Sequence, residues 1–243
     1  MKPAIHPDAA TANVAAAGLL GGWLTAPGVR NVMLAAGNTP LELYRLVAAG
    51  GHSLGHLQVF ALDEYVGVPL AEPRNCANLI RRTAVEPWGV PAGQYFSVSS
   101  LAAEALASVR QHEQRIAAAG GLDVIVLGLG QNGHLGFNEP GSAEDSVARV
   151  LDLETVSIEA NRKWFGGDYA PDHGVTVGMR TILSARRALV LAYGAHKTAA
   201  VRDMVAGPRS PVCPASLLQG HPDVTLFLDP AAAAGLPAGL ACP

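Results

Sequence analysis

Val124-Ile125-Val126-Leu127-Gly128-Leu129-Gly130-Gln131-Asn132-Gly133-His134-Leu135-Gly136-Phe137-Asn138-Glu139-Pro140-Gly141 is the stretch from which the rest of the chain can be read. The apolar run at its start reads as a buried strand leaving the core. Glycines at 128, 130, 133 and 136 let the following backbone turn sharply and approach a bound molecule closely. Among them stand an amide, Asn132, an imidazole, His134, and a carboxylate, Glu139. Polar groups at the carboxyl end of a parallel strand lie where open α/β sheets place their ligands. A catalytic loop is therefore expected here rather than a plain connector.

Working outward, apolar runs alternate with helical segments. Strands are expected at 32–35, 57–62, 124–127, 187–193 and 224–228, with a short extended piece at 175–177. Helices are expected near the start of the chain and at 39–49, about 75–85, 101–119 and 195–205. This alternation predicts an α/β fold, a Rossmann-like, mostly parallel sheet with helices on both faces. No internal repeat or linker breaks it, so residues 1–243 are read as a single domain, with a weakly held Ala/Gly/Pro-rich tail at 230–243.

The composition narrows the function. The formal net charge of -3 supplies no basic field, which argues against nucleic acid as a partner. Asp8, Asn13 and Gly21-Gly22 interrupt the apolar N-terminal stretch, so neither a signal peptide nor a membrane span is expected, and the chain is read as cytoplasmic. Cys76, Cys213 and Cys242 are widely spaced and odd in number, which fits a reducing compartment and no disulfide framework. His52 and His56 have the spacing of a helical metal pair, but the glycines around them disfavour a helix and no third ligand follows. No metal is expected.

Several groups carry chemistry. Gly37-Asn38-Thr39-Pro40 joins a strand to a helix start, where free N–H groups and the Thr39 hydroxyl can hold an anion, or Thr39 can simply cap the helix. Asp63 and Glu64 end an otherwise uncharged strand and could supply a general base or merely mark the exit to solvent. His134 has Glu139 close behind it, and a carboxylate partner fixes the imidazole tautomer for proton transfer. Lys197 opens a helix, a place that favours a cation only if an anion is also there. Arg162-Lys163 beside Trp164-Phe165 is a second candidate anion clamp or an ordinary helix end.

Taken in order, these segments resemble the glucosamine-6-phosphate deaminase family. The resemblance runs through Gly37-Asn38-Thr39-Pro40, Leu62-Asp63-Glu64-Tyr65-Val66-Gly67 and Gly128 to Gly141. It continues in Thr176-Val177-Gly178-Met179, Gly194-Ala195-His196-Lys197 and Pro214-Ala215-Ser216-Leu217-Leu218, covering about residues 34 to 229. It implies hydrolytic isomerisation of an amino-sugar phosphate, glucosamine 6-phosphate, to fructose 6-phosphate and ammonia, with no cofactor. Asp63 would move the C2 proton to C1, and His134 would open the pyranose ring with Asn132 and Glu139. Gly37, Asn38, Thr39, Lys163 and Lys197 would bind the phosphate.

Some positions depart from the family pattern. Asn132 stands where some members have aspartate, so acid–base work falls on His134 and Glu139. Lys163 stands where arginine is usual, exchanging a planar fork for a point charge, and adjacent Arg162 could substitute. The loop from Gly166 to His173 is also unlike the family. With Arg149 but Leu151 at the effector positions, little allostery is expected. The same chemistry on galactosamine 6-phosphate, 6-phosphogluconolactonase activity and a non-catalytic sugar-phosphate sensor are the alternatives. The expected partner is a small sugar phosphate, and the chain would act as a monomer or small homo-oligomer.

Overall fold

The computed structural model describes residues 1–239. Its main sheet has seven strands: β1 (Lys2–Ile5), β2 (Asn31–Leu34), β3 (Gln58–Ala61), β5 (Tyr95–Phe96), β6 (Val124–Gly128), β9 (Arg187–Ala192) and β10 (Val224–Leu228). They lie in the order β1-β10-β9-β6-β2-β3-β5, with every pairing parallel. The chain builds outward through β2, β3 and β5, then returns to the other side of β2 with β6 and builds outward again. The strand order therefore reverses between β2 and β6, and the loops leaving their carboxyl ends diverge.

Successive residues of a strand face opposite sides, and the central strands are apolar on both. Val124 and Val126 pack with α1 (Ala9–Leu24) and α2 (Leu41–Ala49) through Leu20, Leu24, Leu43 and Val47. Ile125 and Leu127 face the other way, toward Val109 and Ile116 of α4 (Ala102–Ala118) and Val201 and Met204 of α7 (Thr198–Ala206). The expected layers of helix, sheet and helix are thus present.

The details sharpen the sequence reading. β1 was not foreseen: four residues with two prolines or alanines among them give little signal, and pairing with β10 makes the strand. The run at 57–62 does not simply end in two acids. The chain leaves the main sheet at Leu62, and β4 (Asp63–Tyr65) pairs with β8 (His173–Thr176) in a second, antiparallel sheet completed by β7 (Arg149–Asp152). The helix expected at 75–85 is an α-helical turn, α3 (Cys76–Ile80), followed by a π-helical turn at Arg81–Val85. The tail is better seated than expected at its start. Pro230–Ala233 is helical, capped by Asp229, and buries Ala232 and Ala233, while residues 240–243, including Cys242, lie outside the described residues.

At the opposite end of the sheet Asp123 ties β2 to β6. Its carboxylate accepts from the N–H groups of Arg30 at 2.8 Å and Asn31 at 2.9 Å, and Arg186 lies 3.1 Å away. Asp123→Ala would strand these donors in a buried setting. We expect a loss of about 2–3 kcal/mol in urea unfolding, with Asp123→Asn losing less.

Candidate active site

The cleft lies where β2 and β6 part. An inner cavity of ≈ 180 Å³ is lined by Asp63, Cys76, Gly130, His134, Ser157 and Lys197, among others. An outer cavity of ≈ 540 Å³ adds Gly37, Asn38, Lys163 and Trp164. The two share Tyr65, Gln131, Val156, Ala160, Asn161 and Lys197, so they are halves of one cleft. Its roof is α5 (Thr155–Trp164), which sends Val156, Ser157, Ala160 and Asn161 into it at helical spacing.

Asp63 is brought to the cleft by the turn from the main sheet into β4. It is buried, and no hydrogen bond reaches its carboxylate from the described residues. Burial, reinforced by the neighbouring Glu64 charge, raises its pKa to about 8. Glu64 has a different task. It accepts from the N–H groups of Tyr65 at 2.8 Å, Cys76 at 3.1 Å and Ala77 at 2.9 Å, binding β4 to the start of α3. Neither acid marks an exit to solvent: Glu64 is buried and caps the start of α3, while Asp63 faces the cavity.

The glycine loop is folded back on itself. Gly130 N–H bonds the His134 carbonyl at 3.0 Å, and a Cβ at Gly130 would come within 2.4 Å of the His134 ring. Only glycine lets the imidazole lie against this turn. Glu139 Oε2 stands 3.3 Å from His134 Nδ1 and accepts from Asn132 Nδ2 at 2.7 Å. Burial pushes the Glu139 pKa up, but the hydrogen bonds and charge of His134, with Ser157 and Asn132, outweigh this and hold it below its ordinary value. Asn132, His134 and Glu139 therefore form one connected group, and Asn132 acts in it as a donor to an ionised carboxylate.

At the cleft's outer end, Lys197 is half-buried and makes no ion pair with any described residue, and burial lowers its pKa to about 8. Gly37 and Asn38 lie beside it, with Gly37 at a φ of 99°. Lys163 lines this region and Arg162 does not, so of the two candidate cations Lys163 is the one at the cleft. Thr39 lines neither cavity. Nor does it cap α2, whose cap position is Pro40.

Sequence reading passed over Cys76, Ser157 and Arg74. Arg74 bonds Glu72, the Trp164 carbonyl and Asp168, and lies over Phe165, pinning the loop behind α5. None of these stands in a motif of its own. Ser157 could have been suspected from its place one helical turn before Asn161. His52 and His56 lie in a non-helical segment.

The family model for glucosamine-6-phosphate isomerases and 6-phosphogluconolactonases matches residues 9–226. This chain belongs to that family. A glucosamine-6-phosphate deaminase of Pseudarthrobacter chlorophenolicus is 41% identical over 207 residues, covering 84% of this chain and 80% of the relative. One from Rhodopirellula baltica is 39% identical over 234 residues, covering 94% and 93%. Among solved structures, a monomeric glucosamine-6-phosphate deaminase superposes with a TM-score of 0.91 at 31% identity, covering 97% of this chain and 100% of that one. A 6-phosphogluconolactonase from Trypanosoma brucei shares the fold at a TM-score of 0.79 and 22% identity.

The raised pKa of Asp63 has a thermodynamic consequence. The folded chain keeps a proton that the unfolded carboxylate releases from about pH 4 upward. Stability is therefore lost progressively between about pH 4 and about pH 8, and no further above it. Asp63→Asn removes this loss. Its Tm relative to wild type should rise by several degrees across that window, as read by calorimetry at pH 5 and pH 9. An equal offset at both values would place the titration on another group.

Proposed function

We propose that the chain converts glucosamine 6-phosphate and water to fructose 6-phosphate and ammonia. The observation that carries this reading is that one small cavity is lined by Asp63, whose carboxylate takes no hydrogen bond from the described residues, by His134, which is paired with Glu139, and by Lys197, which makes no ion pair among the described residues. Identities of about 40% with glucosamine-6-phosphate deaminases, over most of both chains, support it.

The phosphate sits between Lys197, Lys163 and the backbone at Gly37–Asn38, and binding there positions the distant reacting carbons. His134 takes the anomeric hydroxyl proton and returns one to the ring oxygen, which opens the pyranose. Glu139 stabilises the transient imidazolium. Asp63 then removes the C2 proton, and the freed electron pair forms the C1=C2 bond while the aldehyde oxygen takes a proton from the substrate ammonium, giving a neutral enolamine. Asp63 returns its proton to C1, which leaves an iminium at C2. Water adds there, nitrogen departs as ammonia, and C2 becomes the ketone. The net step consumes one water and is hydrolytic in that sense.

Burial and the Glu64 charge keep Asp63 largely protonated at neutral pH. A substrate ammonium beside it favours the carboxylate and readies the base. A monomer or small homo-oligomer is our reading of its assembly, and the solved deaminase that superposes with it is itself monomeric. No described helix is long and apolar enough to cross a membrane, and a cytoplasmic location remains our reading.

A coupled ammonia assay on both hexosamine 6-phosphates tests the proposal. Turnover is expected with the gluco epimer. Turnover confined to galactosamine 6-phosphate would move the substrate, and tight binding without ammonia from either would make the chain a sensor. Asp63→Asn should abolish solvent exchange at C2, at least ~100-fold in rate, while leaving sugar-phosphate binding largely intact.

The pH dependence follows from two groups. Asp63 must be ionised, so kcat/KM should climb as pH rises toward about 8. Lys197 must be protonated, so it should fall as pH rises past about 8. Lys197→Met should raise KM and flatten the alkaline limb. An unchanged limb would remove Lys197 from phosphate binding.

A further inference from the structure

Ser157 is buried on the cleft face of α5, and its Oγ stands 3.4 Å from His134 Nδ1. Glu139 Oε2 approaches the same nitrogen at 3.3 Å. Two oxygens thus crowd Nδ1, whereas no hydrogen bond among the described residues reaches Nε2. The Glu139 carboxylate has an asymmetric environment. Oε2 takes the Asn132 amide, and Oε1 is buried with no partner among the described residues. With one oxygen unpartnered, the carboxylate depends on the few donors that remain, and the Ser157 hydroxyl is one of the groups favouring its charged form.

A hydroxyl has one hydrogen and two lone pairs. The ionised carboxylate is the stronger acceptor and the Ser157 hydroxyl favours its charged form, so a hydrogen turned toward Glu139 leaves the Ser157 lone pair facing Nδ1. We propose that Ser157 is a positioning residue for ring opening. With Glu139 it makes Nδ1 a site flanked by acceptors, so neutral His134 carries its proton on Nδ1 and keeps Nε2 bare as the proton acceptor. The proposal rests on the assignment of ring opening to His134.

The hydroxyl arrives on the same helix that brings Lys163 to the outer cleft. One helix therefore carries both the Lys163 cation and the hydroxyl that selects the imidazole tautomer. Other charges face the group without reaching it. Asp63 and Lys197 lie across the inner cavity. Arg149, Asp152 and Glu154 line a separate hollow behind Glu139, where Arg149 bonds Ser142 at 2.6 Å.

The test is two-bond ¹H–¹⁵N correlation spectroscopy on the ¹⁵N-histidine-labelled full chain above the imidazole titration. His134→Gln identifies the signals of His134. Wild type is expected to show the Nδ1–H tautomer, Ser157→Ala a shift toward Nε2–H, and Ser157→Thr the wild-type pattern, since threonine keeps the hydroxyl. In parallel, Ser157→Ala should lower kcat ~10-fold with KM nearly unchanged, and Ser157→Thr should restore it. A dominant Nε2–H tautomer in wild type, or no tautomer change in Ser157→Ala, overturns the proposal. Full turnover by His134→Gln would instead remove ring opening from His134, while the tautomer result would stand.

Discussion

The reversal of strand order between β2 and β6 is the constraint on which everything else rests. Both strands are buried on both faces, so they must run parallel within a covered sheet, and their outgoing loops are thrown to opposite sides. The gap this leaves cannot be filled by either loop alone. The first supplies backbone at Gly37–Asn38, the second supplies His134 and Glu139, and β9 next door delivers Lys197 through the turn at Gly194. The second sheet then brings Asp63 in from the side and holds α5 as a roof, since β7 and β8 flank that helix in sequence.

Burial acts on the site in two opposite ways. It works against the charge of Asp63 and Lys197, which have no partner among the described residues, so one pKa climbs and the other falls, to about 8 in both cases. A sugar phosphate with a free amine brings a cation for the first and an anion for the second. The charges of the proposed substrate thus complement both groups. Glu139 is the contrast. It is buried too, yet hydrogen bonds gathered on one oxygen keep it ionised. The Asn132 amide is well suited to that arrangement, because it donates without competing for the proton.

Much of this was legible from residue pattern. The strand at 124–127 and its glycine loop stood out because an uninterrupted apolar run followed by closely spaced glycines has few other uses. Asp63 is marked by a strand end, Lys197 by a helix start, and His134 with Glu139 by their spacing in the glycine loop, and the cleft brings all four together. Thr39 was named with its neighbours but lines neither cavity, because the backbone of Gly37–Asn38 makes the approach instead. Glu64 could not be told from Asp63, since adjacent residues of a strand face opposite ways and only the position of α3 shows which carboxylate is spoken for.

Local physics is what a sequence carries: which runs are apolar, where the backbone must turn, which groups can take a proton. That was enough for the α/β layers, for the central loop and for the main chemical groups, because each is written in neighbouring residues. Tertiary structure alone decided what depends on residues far apart in the chain. It turned β4 out of the main sheet, placed β1 against β10, chose Lys163 over Arg162, and set the Ser157 hydroxyl beside the His134 ring. Such contacts arise from packing across the sheet and its roof, and no local pattern encodes them.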